Sequence, residues 1–96
     1  MNIRVGRKHE SNAVYIGRPS PLGNPFVLRK ESERDNVCDS YEAWFAAQIK
    51  ARNPRVLSEL RKLYRLAQRG ELVLGCYCAP KRCHGDTIKR FLESFK

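Results

Sequence analysis

No apolar run among the 96 residues is long enough to cross a membrane, which sets aside a helical span. The opening residues Met1-Asn2-Ile3-Arg4-Val5-Gly6-Arg7 lack the apolar core of a secretion signal, so a cytoplasmic protein is expected. No segment repeats, none is of low complexity, and no linker divides the chain; a single domain over residues 1–96 follows. Acidic residues are scarce, 10 Asp and Glu against 19 Lys and Arg, giving a formal charge of +9. That excess either draws phosphate-bearing partners or only keeps a small protein soluble. An apolar share of 42% excludes a wholly disordered chain and is enough for one modest core. Disulfides are uncommon in the cytoplasm, so the four cysteines point first to metal binding, reactivity or burial.

Taken in order, Ile3 and Val5 alternate as in a short strand, and Gly6 to Asn12 reads as a turn or hairpin loop. Ala13-Val14-Tyr15-Ile16 is a more continuous apolar run and reads as a buried strand. Three prolines and two glycines in Gly17-Arg18-Pro19-Ser20-Pro21-Leu22-Gly23-Asn24-Pro25 then impose a stiff loop. Its N–H groups at Gly17, Arg18, Ser20, Gly23 and Asn24, with the Arg18 guanidinium, can face an anion; alternatively its polar groups satisfy one another. Phe26-Val27-Leu28 reads as a brief extended piece, and the charged stretch Arg29 to Asn36 as the most mobile part.

Asp39 or Ser40 is expected to cap a helix with Tyr41, Trp44, Phe45, Gln48 and Ile49 on its inner face. Tyr41 and Trp44 are core at that spacing rather than stacking platforms. Asn53-Pro54 closes it and opens a second helix that buries Val56, Leu60, Leu63 and Ala67 and ends at Gly70. Arg55, Arg61, Lys62, Arg65 and Arg69 occupy its remaining face, solvated or tracking a nucleic-acid backbone. Glu71 to Gly75 is the next strand, and a last helix from about Gly85 to Ser94 buries Ile88, Phe91, Leu92 and Phe95. The whole reads as an α/β fold: a small, mostly parallel sheet of about three strands packed with three helices, minimal and Rossmann-like.

Cys76, Cys78, Cys83 and His84 fall within nine residues, between that last strand and the last helix. Cys76 and Cys78 share a face of an extended segment while Tyr77 points away, and Pro80 turns the chain so that Cys83 and His84 return to them. Three thiolates and one imidazole make a complete zinc set, although the C-x-C-x4-C-H spacing lacks paired C-x2-C knuckles. Cys38 could stand in for His84, or be one more small buried side chain. A metal-free reading places Cys83, His84 and Asp86 at a helix start, where the dipole lowers a thiol pKa and attracts phosphate, assisted by Lys81, Arg82 and Gly85. In it Cys83 is the nucleophile, His84 its neighbour, and Asp86 a general base or ribose acceptor, or else an ordinary first-turn carboxylate.

The blocks Val14-Tyr15-Ile16-Gly17-Arg18-Pro19-Ser20-Pro21-Leu22-Gly23-Asn24-Pro25-Phe26 and Leu74-Gly75-Cys76-Tyr77-Cys78-Ala79-Pro80-Lys81-Arg82-Cys83-His84-Gly85-Asp86 resemble the signature of the domain-of-unknown-function family numbered 4326, met in bacteriophages and bacteria. The likeness covers nearly the whole chain. It implies a fold and a site in which Gly17, Arg18, Asn24 and Pro25 face Cys76, Cys78, Cys83, His84 and Asp86, and it implies no activity. The leading expectation is a small, phage-type module that binds a nucleotide or a nucleic-acid phosphate. The alternatives are an enzyme acting on a nucleotide or modified base through Cys83, His84 and Asp86, and a phage protein that engages a host protein, with the cysteine turn as a structural zinc site.

Overall fold

The two apolar patterns at Ile3/Val5 and at Leu72 to Leu74 become strands in the computed structural model, which describes residues 2–78 and 81–95. Among the described residues β1 (Asn2–Arg7), β2 (Ala13–Tyr15) and β3 (Glu71–Cys76) form one sheet in the order β1-β3-β2, with both pairings parallel. Three α-helices accompany it: α1 (Arg34–Lys50), entered through a 3-10 turn at Glu31–Glu33, α2 (Pro54–Gln68) and α3 (Gly85–Glu93). The fold is therefore α/β, with a three-stranded sheet that is parallel throughout.

Alternation along β3 divides its side chains between two faces. Leu72, Leu74 and Cys76 join Ile3 in the cluster that holds Tyr41, Phe45, Leu60, Leu63, Ile88 and Leu92, so the helices cover that face. Gly75 faces the other side. A Cβ placed on it would stand 3.3 Å from the Lys8 Cα and 3.2 Å from the Ala13 Cβ, so the chain crosses β3 at the one residue without a side chain.

That crossing corrects the hairpin expected between the first two strands. β1 and β2 run the same way on opposite edges of β3, and residues 8–12 carry the chain back over it. A parallel connection ordinarily takes about a dozen residues or more. This short one is held by local bonds: Arg7 N–H to Glu10 Oε2 at 2.6 Å, Lys8 N–H to the Cys76 carbonyl at 3.2 Å, and Ala13 N–H to the Glu10 carbonyl at 3.1 Å. The connection from β2 to β3 runs through α1 and α2, long enough for the parallel crossover that was expected.

The helix faces follow the sequence more closely than the helix ends do. Tyr41 and Phe45 of α1 are buried, as are Val56, Leu60, Leu63 and Ala67 of α2. Asn53 caps α2, its side chain accepting from the N–H groups of Arg55 at 3.0 Å and Val56 at 3.5 Å, and Pro54 occupies the first turn. By contrast α1 begins at Arg34, so Asp39 and Ser40 lie inside it and Arg29 to Asn36 is largely helical, not loose chain. A residue far along the sequence meets this segment: Arg82 reaches Asp35 at 3.1 Å and Asp39 at 2.9 Å, tying the first turns of α1 to the cysteine turn. Phe95 is 55% exposed, which corrects its expected burial beside Ile88 and Leu92, and residues 26–28 form no strand. The radius of gyration is 12.7 Å, close to the roughly 12.5 Å of a compact chain this long. Among the described residues no helix is long and apolar enough to cross a membrane.

Candidate functional site at the carboxyl ends of the strands

The proline-rich loop after β2 is stiffened by bonds within itself. Ser20 N–H donates to the Gly17 carbonyl and Gly23 N–H to the Ser20 carbonyl, each at 2.8 Å, while Ser20 Oγ accepts from Leu22 N–H at 3.2 Å. These bonds use the Ser20 and Gly23 donors that were expected to face an anion. A Cβ on Gly23 would lie 2.8 Å from the Arg18 nitrogen, so the loop closes on itself there. Leu22 at its apex is fully buried, and its carbonyl accepts from the Tyr41 hydroxyl at 2.7 Å. The loop is thereby pinned to α1, with Arg18 left exposed at its rim.

The cysteine turn docks against the start of that loop. His84 is 7% exposed; its Nε2–H donates to the Ile16 carbonyl at 2.9 Å, and its ring meets the Tyr41 ring edge-on at 5.0 Å between centroids. A carbonyl only accepts, so Nε2 carries the hydrogen and, in the neutral ring, Nδ1 keeps its lone pair. One ligand atom each from Cys76, Cys83 and His84 lie within 4.8 Å of one another. Cys76 and Cys83 are each 3% exposed. Backbone amides point at both sulfurs: Cys78 N–H at the Cys76 sulfur and Gly85 N–H at the Cys83 sulfur, each 3.4 Å away.

The two neighbouring thiols shift each other's ionisation in opposite directions. The adjacent Cys83 thiol, aided by His84 and the Cys78 amide, holds Cys76 below the ordinary thiol range. The bond to Cys76, then burial, pushes Cys83 up. Such a pair can hold a metal, and Cys76, the more readily ionised of the two, is the better nucleophile. Cys78 stands outside the group, with its thiol beside Arg34. Asp86 Oδ2 accepts from Cys83 N–H at 3.3 Å, as a first-turn carboxylate does. The expectation that Pro80 turns the chain falls outside the described residues.

Both motif blocks meet in one recess of about 340 Å³ beyond the carboxyl ends of β2 and β3. Arg18, Asn24 and Gly17 line it from the first block, and Cys76, Cys78, Arg82, Cys83 and His84 from the second. The structure does not bring Ser20, Gly23, Lys81, Gly85 or Asp86 to its wall. Lys81 instead pairs with Glu31 at 3.0 Å, and Gly85 is buried against the sheet, its Cβ position 3.0 Å from Ile16 Cδ1. Cys38 does reach the wall from α1, outside the metal-type group.

Sequence reasoning missed Tyr15, Phe26, Arg34 and Tyr77, which also line the recess. Tyr15 and Tyr77 pack edge-on at 5.9 Å with Lys8 over both rings, at 4.9 and 4.7 Å from the centroids. The sequence turned Tyr77 away from its cysteine neighbours, whereas the structure sets it on the same recess wall as both, with Lys8 against its ring. Arg34 is bonded to Glu31 and Arg82 to Asp39 and Asp35, which raises both guanidinium pKa values and keeps the charges fixed at the rim. Arg18 has no carboxylate partner among the described residues. Among the described residues no Asp or Glu lines the recess.

Comparison with known proteins places this geometry in a group. The chain is 32% identical over 91 residues to the "Uncharacterized 12.4 kDa protein in nrdA-td intergenic region" of Enterobacteria phage T4, a match that covers 94% of this chain and 77% of the relative. No solved structure matches it. The model of the family described as Domain of unknown function (DUF4326) matches residues 2–94, which take in both loops and every residue of the recess, and the chain belongs to that family.

Proposed function

We propose that the chain binds a nucleotide in the recess, with the phosphate at Arg18 and the base against the aromatic wall. The observation that carries this is the wall's composition: among the described residues it has three arginines and a histidine, three aromatic rings from Tyr15, Phe26 and Tyr77, and no carboxylate. An exposed arginine without a carboxylate partner suits a phosphate, and its bidentate fork gives direction as well as charge. Tyr77, 69% exposed, offers a ring face on which any base can stack. The volume of about 340 Å³ falls in the range of small-molecule sites and suits one nucleotide rather than a strand. The cationic charge of the chain adds a long-range attraction that salt weakens.

Calorimetric titration with purine and pyrimidine mononucleotides at low ionic strength tests this. Binding by the native protein is expected, and Arg18→Ala should weaken it about 10- to 100-fold, the loss of one charge-assisted phosphate contact. Absence of heat with every nucleotide, or an Arg18→Ala variant that binds as well as the native chain, would overturn the proposal.

A further inference from the structure

We infer that Cys76, Cys83 and His84 form a three-ligand site for a zinc-class divalent ion, whose fourth coordination position opens into the recess. The donor set comes first: two sulfurs and an imidazole nitrogen are the ligands such ions prefer over harder cations. Zinc–sulfur bonds near 2.3 Å put two tetrahedral thiolates about 3.8 Å apart. The three ligand atoms already lie within 4.8 Å of one another, so closing on an ion needs a shift of about 1 Å or less per side chain.

The surroundings are those of a ligand set held ready. His84 gives its Nε2–H to the Ile16 carbonyl, the partner that fixes ring orientation and leaves Nδ1 to coordinate. The Cys78 and Gly85 amides aimed at the two sulfurs stabilise thiolate charge. Two thiolates balance a divalent ion, and the site then adds no net charge to a recess ringed by arginines.

The fourth position follows from who is missing from the group. Cys78 falls outside it, Asp86 is bonded to the Cys83 amide, and Ala79 and Pro80 carry no side-chain ligand. All three ligands line the recess, so the open side of the ion faces the space where Arg18 and Tyr77 stand. Three protein ligands and an open position are the pattern of zinc sites that take a water or an anionic ligand, as opposed to closed structural ones. The inference rests on the nucleotide reading only for what would fill that position.

Cobalt(II) added to the reduced, chelator-treated protein tests it with no nucleotide present. The expected result is a tetrahedral visible spectrum with the charge-transfer intensity of two thiolates, lost on adding zinc. Thiocyanate added to the cobalt form should shift the visible bands by entering the fourth position, and Cys78→Ser should leave the thiolate intensity unchanged. Zinc added to the native chain should slow alkylation of Cys76 and Cys83, mapped by mass spectrometry, and leave Cys78 reactive, a readout that needs no variant to fold. No cobalt spectrum together with no protection overturns the site. A Cys78→Ser variant that loses one thiolate's intensity, or a spectrum blind to thiocyanate, overturns the open position. Uptake of cobalt without any nucleotide affinity would sink the nucleotide reading alone, and nucleotide affinity without cobalt uptake would sink this one alone.

Discussion

Tyr41 shows how much one side chain carries. Its ring is fully buried, touches His84, and its hydroxyl donates to the Leu22 carbonyl, so it joins the proline-rich loop to the cysteine turn through α1. Burial, with the nearby Cys83, raises the phenol's pKa above its ordinary 10.0. The sign follows from linkage: the unfolded chain releases this proton more readily, so the contribution is intact below about pH 10 and lost as pH rises beyond it. Urea unfolding at about pH 8 and about pH 10.5 should show stability falling at the alkaline end. Tyr41→Phe should flatten that fall and cost about 1–3 kcal/mol at neutral pH, because the Leu22 carbonyl is left buried without its partner. An alkaline slope equal to the native one would remove Tyr41 as its source. The burial of Tyr41 was legible from helical spacing. Its partner was not, since Leu22 lies 19 positions away in a loop with no periodicity to read.

Among the elements, α2 is the most fully written in the sequence and α1 the least. The Asn53 cap, the Pro54 first turn and the four buried apolar positions of α2 are all local signals. Asn53→Ala should therefore cost about 1 kcal/mol, or roughly 4–8 °C in Tm for a domain of this size. Asn53→Asp keeps an acceptor in place and should melt within a degree or two of the native chain; equal melting of the alanine variant would show that the cap contributes nothing. The start of α1 is different in kind. Glu31 is held down to about 2 by Arg34 and Lys81, and Asp35 and Asp39 pair with Arg82, so the turn that opens α1 is fastened by residues nearly fifty positions away. No local propensity carries that information. The same is true of the wall of the recess: cysteine spacing disclosed Cys76, Cys83 and His84, whereas Arg34, Phe26 and Tyr15 arrive there through packing.

For the molecule as a whole, the question is where the surplus positive charge acts. Exposed basic residues line α2 at Arg55, Arg61, Lys62, Arg65 and Arg69, away from the recess. Many others are spent on carboxylates, Arg4 on Glu10 and Arg90 on Glu42 among them. If the recess alone holds the ligand, affinity for a mononucleotide should fall with salt by the slope of about one or two phosphate contacts. A short oligonucleotide carrying the same terminal nucleotide should show a similar slope. A much steeper dependence for the oligonucleotide, at about 0.7 per neutralised phosphate, would instead place the backbone along α2. Titrations across a fourfold range of salt decide between the two surfaces. The strands and the parallel crossover from β2 to β3 were legible, but the strand order and the direction of β1 against β2 were not, because the loop of residues 8–12 contains nothing that says it must pass over a strand arriving much later in the chain.

The passage of residues 8–12 across Gly75 bears on how the polypeptide is made. β1 and β2 have no ladder with each other, only with β3, which slots between them. A growing chain can assemble none of its sheet until β3 begins to appear at Glu71, and the ligand group is complete only when His84 follows, shortly after β3 ends at Cys76. Backbone pairing and the formation of the pocket are thus late and nearly simultaneous events, so a partly translated copy holds neither an ordered sheet nor a competent site.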